Sequence, residues 1–130
     1  MDYVETLNAL SLQRSWVAIG AFDGVHLGHQ TLFKKIVEGA RESGCESVAI
    51  TFDPLPALFF KRIKTDHILT SVRERMNLIR GLGVNRVVVL NFTRELADID
   101  ALTFMTTVKS ALGLEKLLAA NLPESPSAFL

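Results

Sequence analysis

A chain of 130 residues is the size of one domain, and with 48% hydrophobic residues it can build a core that removes about two-thirds of the unfolded surface from water. Its 14 basic side chains cancel its 14 acidic ones, which excludes the basic footprint of a protein that binds nucleic acid or an anionic membrane and leaves a small molecule as the expected partner. The lone cysteine, Cys45, excludes an intrachain disulfide and a cysteine-cluster metal site, and suits a reducing compartment.

In chain order, Met1-Asp2-Tyr3-Val4-Glu5 is acidic rather than basic, and no apolar run reaches the roughly 20 residues of a membrane helix. The expected location is therefore the cytoplasm, with no membrane contact. Met1 to Ser15 carries Leu7, Leu10 and Leu12 in weakly periodic surroundings, with no chemistry visible. Trp16-Val17-Ala18-Ile19 is an apolar run without alternation, as in a parallel strand covered on both faces. Gly20 and Gly24 then permit a sharp, close-approaching turn around a phosphate-sized pocket. Next come His26 and His29, with Gly28 between them at the start of a helical pattern. Three-residue spacing puts both rings on one side, at a helix N-terminus whose free N–H groups favour an anion such as phosphate. A bare His-x-Gly-His fits equally a pair of capping histidines with a glycine that eases packing.

Leu32, Phe33, Ile36, Val37 and Ala40 give that helix one core face, and Ser43-Gly44 stops it. Val48 to Phe52 is a second buried strand, broken by Asp53-Pro54-Leu55-Pro56 at its carboxyl end, where α/β sheets place ligand crevices. The cations Lys61, Arg62 and Lys64 in the stretch Ala57 to Asp66 fit a solvated loop better than a phosphate-greeting flap, and His67 reads as an ordinary surface histidine. Ser71-Val72-Arg73-Glu74 is a capping box, followed by the stripe Met76, Ile79, Leu82 and the stop Gly83. Arg86 to Leu90 is the third strand. Asp100 caps a further helix with Leu102, Met105, Val108 and Leu112 inward and Gly113 as its stop, and Glu115 to Ala120 is the fourth strand, beside the first. Alternating strands and helices predict a three-layer α/β fold with a parallel sheet. Neither Gly-x₄-Gly-Lys-Ser/Thr nor Gly-x-Gly-x-x-Gly occurs, so the P-loop and dinucleotide folds do not apply.

The string Gly20-x-Phe22-Asp23-Gly24-Val25-His26-x-Gly28-His29 closely resembles the opening motif of the bacterial FAD synthetase module, the FMN adenylyltransferase half of bifunctional riboflavin kinase/FAD synthetases. The resemblance continues through Thr51-Phe52-Asp53-Pro54-x-Pro56, Leu69-Thr70-Ser71, Leu82-Gly83-Val84 and Phe92-Thr93-x-Glu95-Leu96, and ends near Leu118. It implies a Rossmann-like nucleotidylyltransferase fold, truncated after about the fourth strand: a partial domain over 1–122, whose lead-in segment packs on the edge of the first strand, and a disordered tail over 123–130. It also implies the reaction of ATP with FMN to give FAD and pyrophosphate, with Mg²⁺ bridging phosphates. His26 and His29 are then catalytic, and Gly20, Ala21, Phe22, Asp23, Gly24, Gly28, Thr51, Phe52, Asp53 and Pro54 line the nucleotide site, with no metal ligand among the side chains. Asp23 reads as a turn-stabilising acceptor before a direct metal ligand. Two departures set expectations: Leu55 stands where the family usually has histidine, and Ala120-Asn121-Leu122-Pro123 replaces a phosphate-site motif. A chain lacking the family's later segments is expected to make FAD slowly or not at all, which leaves open a non-catalytic nucleotide-binding remnant or a nucleotidylyltransferase with another acceptor. Its fourth strand is expected to become an exposed edge that promotes self-association.

Overall fold

The computed structural model describes residues 3–23, 27–61 and 71–118. The sequence readings on Gly24, His26, Arg62, Lys64, His67, Leu69-Thr70 and the tail from 119 to 130 lie outside the described residues.

Four parallel strands form one sheet: β1 (Ser15–Ile19), β2 (Glu46–Asp53), β3 (Arg86–Asn91) and β4 (Leu114–Leu118), in the order β3-β2-β1-β4. They are linked by α2 (Leu27–Ser43), α3 (Pro56–Phe59), α4 (Val72–Gly81), α5 (Arg94–Asp98) and α6 (Ala101–Leu112), with α1 (Tyr3–Asn8) before β1. The expected α/β fold with a parallel, helix-flanked sheet is therefore what the chain adopts. Ile19 pairs with Ile50, so β2 overhangs β1 by Thr51, Phe52 and Asp53, and Asp53 is opposite Asn91. Between β1 and β4 the register shifts: Ser15 faces Leu114 but Trp16 faces Lys116, leaving Glu115 as an extra residue. Among the described residues β4 is an edge.

The two faces of the sheet differ in side-chain size. Val17, Ile19, Val48, Ile50, Phe52, Val88 and Leu90 pack with Leu7 of α1, Leu96 of α5 and Phe104, Val108 and Leu112 of α6. The opposite face is lined by Ala18 and Ala49, over which Phe33 and Ile36 of α2 and Ile79 of α4 settle. Burying each large aliphatic side chain contributes about 1.5–3 kcal/mol. The small face lets α2 come close: Gly39 lies against the Trp16 indole, which a Cβ at that position would strike. Helix ends follow the residues predicted to set them. Ser71 Oγ accepts from Glu74 N at 3.1 Å, Asp100 Oδ1 accepts from Thr103 N at 2.7 Å, and Gly113 closes α6 at φ 58°.

Three readings are corrected. The lead-in segment does not edge β1, which has β2 and β4 on its two sides. It forms α1 instead, with Tyr3 stacked 5.6 Å from Phe104 of α6 and Leu7 fully buried. Leu102 points outward, 79% exposed, because the buried stripe of α6 is Phe104, Val108, Ala111 and Leu112, and a residue two positions before Phe104 lies about 200° round the helix. The stretch after Pro54 is not all loop, since Pro at the first helical position starts α3.

Candidate functional site

The carboxyl ends of β1 and β2 build the site. Beyond Ile19, Gly20 N still donates to Ile50 O at 3.0 Å, and then the chain leaves the sheet. Phe22 sits at φ 54°, the left-handed region that a bulky residue adopts at a cost on the order of 1–3 kcal/mol. Packing offsets that cost: the ring is 4% exposed, lies 4.8 Å from Phe33 and meets the His29 ring edge-on at 5.3 Å. It also folds back over Gly20, where an added Cβ would come within 2.9 Å of it. The close approach that Gly20 permits is therefore by the Phe22 ring.

Arg75, on α4, joins this turn to the end of β2. Its Nη1 donates to Ala21 O (3.1 Å), Thr51 Oγ1 (2.9 Å) and Phe52 O (3.1 Å), while Thr51 Oγ1 donates to Ala21 O at 2.9 Å. Thr51 is fully buried and Arg75 only 2% exposed. Burial pulls the guanidinium below the usual arginine range, and the charges of Asp23 and Asp53 oppose that shift. Asp53 O accepts from Phe92 N at 3.1 Å, which continues the wall to the end of β3, and the Asp53–Pro54 peptide is cis.

The fold thus gathers Gly20, Ala21, Phe22, Asp23, Thr51, Phe52, Asp53 and Pro54 at one end of the sheet. His29, in the first turn of α2, is tied to them through Phe22. Gly28 lies in the α2 backbone; Gly24 and His26 are outside the described residues. The side chains of Phe22, Thr51 and Phe52 are buried, so what they offer a ligand is shape and backbone. Leu55 is 4% exposed, an apolar core residue at the place where the resemblance predicts histidine. Arg75 was missed by the sequence reading. The available signal was its position on the inward stripe of α4, four residues before Ile79, where a charge is out of place. Among the described residues no group of three or more His, Cys, Asp or Glu side chains is arranged to hold a metal ion, and no helix is long and apolar enough to cross a membrane.

A family model described as FAD synthetase matches residues 9–120. A bifunctional riboflavin kinase/FMN adenylyltransferase of Listeria monocytogenes is 32% identical over 104 residues, 79% of this chain and 33% of its own length. A Geobacillus thermodenitrificans protein that bears the same name provisionally is 43% identical over 97 residues, 75% of this chain and 52% of its own. A crystal structure titled as a macrolide-efflux protein from Streptococcus pneumoniae superposes with a TM-score of 0.76 at 26% identity, covering 90% of this chain and 39% of that one. The chain thus spans about a third to a half of the length of the curated relatives it matches.

Proposed function

The chain belongs to the FAD synthetase family, and from that premise we propose that it carries the nucleotide-binding end of an FMN adenylyltransferase. In this reading the phosphate of FMN attacks the α-phosphorus of ATP, the new P–O bond forms as the bond to pyrophosphate breaks, and FAD and pyrophosphate leave. No covalent enzyme intermediate is required. The protein supplies position and charge stabilisation, which dominate catalysis when phosphorus is the electrophile. By resemblance, His29 and His26 hydrogen-bond the oxygens on which charge builds, and the backbone of the turn from Gly20 to Asp23, with Gly24 by resemblance, cradles the nucleotide. Mg²⁺ arrives with the triphosphate as part of the substrate; a hard cation that keeps several waters and takes phosphate oxygens needs no dedicated protein cage.

The observation that carries this reading is the joined turn: backbone from Gly20 to Asp23 is held against Thr51 and Phe52 by hydrogen bonds from buried Thr51 and Arg75 side chains, at the sheet end where α/β folds bind ligands, with His29 in the adjoining helix turn. Leu55 favours a second reading, nucleotide binding without turnover, because a buried leucine offers phosphate no donor. Incubation with Mg·ATP and FMN, followed by chromatography for FAD, separates the two. In an active chain His29→Ala lowers the rate of FAD formation about 10²- to 10³-fold. In an inactive one, calorimetry finds ATP binding that weakens on the same substitution. Equal ATP affinity before and after replacement of both His26 and His29 refutes the site assignment in either reading.

A further inference from the structure

Arg75 occupies a position where structure alone would be served by leucine or methionine. It lies on the sheet-facing stripe of α4, 2% exposed, and withdrawing a cation from water carries a penalty that only good partners offset. The ion pairs Arg14–Glu115, Arg86–Glu46 and Arg94–Asp98 do not engage it. Its Nη1 bonds two carbonyls and a hydroxyl, all neutral, and its Nε is buried without a hydrogen bond. What a neutral residue in its place would lose is a three-way tie between the β1 turn and the β2 end, and a positive charge anchored at Ala21 O and Phe52 O, near in sequence to Asp23 and Asp53.

We propose that Arg75 is a positioning residue for the nucleotide site: it clamps the Gly20 to Asp23 turn onto Thr51 and Phe52, and it offsets the carboxylates of Asp23 and Asp53 so that the cleft accepts a polyphosphate. It acts through Ala21 and Thr51 and touches no reacting atom. The clamp is a property of the chain itself, whereas the electrostatic half rests on the adenylyltransferase reading. Without the guanidinium, this end of the sheet loses one unit of positive charge, and one unit charge about 10 Å from another at an effective dielectric constant of 20 corresponds to more than tenfold in affinity. The nucleoside part of the ligand carries no charge and is insensitive to that term.

Calorimetry with Mg·ATP and with adenosine, and amide hydrogen exchange, on the full chain and on Arg75→Gln and Arg75→Lys, test both halves. In Arg75→Gln, ATP affinity is expected to fall at least tenfold while adenosine affinity stays within about threefold, and Arg75→Lys is expected to recover most of the ATP loss because it keeps the charge. The amides of Gly20 and of Thr51 to Asp53 are expected to exchange at least tenfold faster in Arg75→Gln, with those of α6 unchanged. Equal losses for ATP and adenosine, no loss for either, or unchanged exchange at Gly20 and Thr51 overturns the proposal. If Arg75→Gln does not fold, Arg75→Lys decides it: faster exchange at those amides, with an ATP-to-adenosine ratio within threefold of the parent, supports it, and unchanged exchange refutes it. If the parent chain binds neither nucleotide, the adenylyltransferase reading and the electrostatic half fail together, and exchange alone then decides whether the clamp stands.

Discussion

The two ends of the sheet are held by different means. At the amino end, polar groups close on one another over short paths. Arg14 Nε donates to Glu115 at 2.6 Å, Cys45 Sγ donates to the same carboxylate at 3.1 Å, Arg86 pairs with Glu46, and Ser47 and Asn85 exchange hydrogen bonds at 2.9 and 3.0 Å. At the carboxyl end a single buried guanidinium ties neutral acceptors, and an aromatic residue is held at a left-handed φ. Apart from the buried Ser15 hydroxyl, which has no hydrogen-bond partner, one end spends its polar chemistry on itself; the other holds left-handed backbone beside a buried cation, at the place where parallel α/β folds bind ligands. Substitutions at the amino end are therefore expected to alter stability and leave nucleotide affinity alone.

The largest such effect is expected at Gly113. Its φ of 58° suits glycine, and a Cβ there would meet the carbonyl oxygen of Gln13. Gly113→Ala is expected to cost about 2–3 kcal/mol, lowering Tm in a thermal melt by roughly 10 °C. Calorimetry at a temperature where the variant is folded should find its ATP affinity within about twofold of the parent's; a tenfold loss would break the distinction between the two ends. Ser47→Ala comes next. The serine is 1% exposed and its hydroxyl both donates to and accepts from Asn85, so its loss is expected to cost about 1 kcal/mol in a urea titration, near the lower bound because the exposed Asn85 recovers water.

The smallest effect concerns pH. Hydrogen bonds from Arg14 and Cys45 hold the Glu115 carboxyl below its ordinary range, and the backbone N–H of Thr103 does the same for Asp100. A carboxyl whose pKa is depressed on folding contributes stability that is present above its unfolded value and disappears as the pH falls through the folded one. Burial, with a hydrogen bond to Glu115, raises the Cys45 thiol, whose contribution is present below the unfolded thiol pKa and fades as the pH rises through the folded value. Melts of the parent and of Glu115→Gln should therefore differ near neutrality and converge in acid, with added salt narrowing the gap. A difference that persists below the carboxylate range would assign the effect to packing.

Much of this arrangement was legible in the residues because parallel strands advertise themselves. Trp16 to Ile19 and Val48 to Phe52 are apolar without alternation since both faces are covered, and Ser71, Asp100 and Gly113 mark helix ends through local hydrogen bonds and backbone conformation. The turn after β1 was also legible as a place. What escaped was long-range. Arg75 reaches the turn across a sequence separation of 54, and Tyr3 of α1 finds Phe104 of α6 just over a hundred residues away. Neither periodicity nor spacing carries such contacts. The left-handed backbone also falls on Phe22, when glycine was the residue expected to accommodate the turn, because ring packing against Phe33 and His29 outweighs a local preference.

The extra residue at Glu115 bears on how this chain tolerates changes in length. Trp16, Val17 and Ala18 pair with Lys116, Leu117 and Leu118 only because one residue of β4 is skipped after Ser15 faces Leu114. The same bulge lets Glu115 serve Arg14 and Cys45. A one-residue deletion at 115 would restore even spacing while removing that carboxylate, and a one-residue insertion after Gly113 would turn Leu117 and Leu118 to opposite faces. The junction between α6 and β4 is thus a fixed measure of chain, and variation in length belongs in segments that do not set a register.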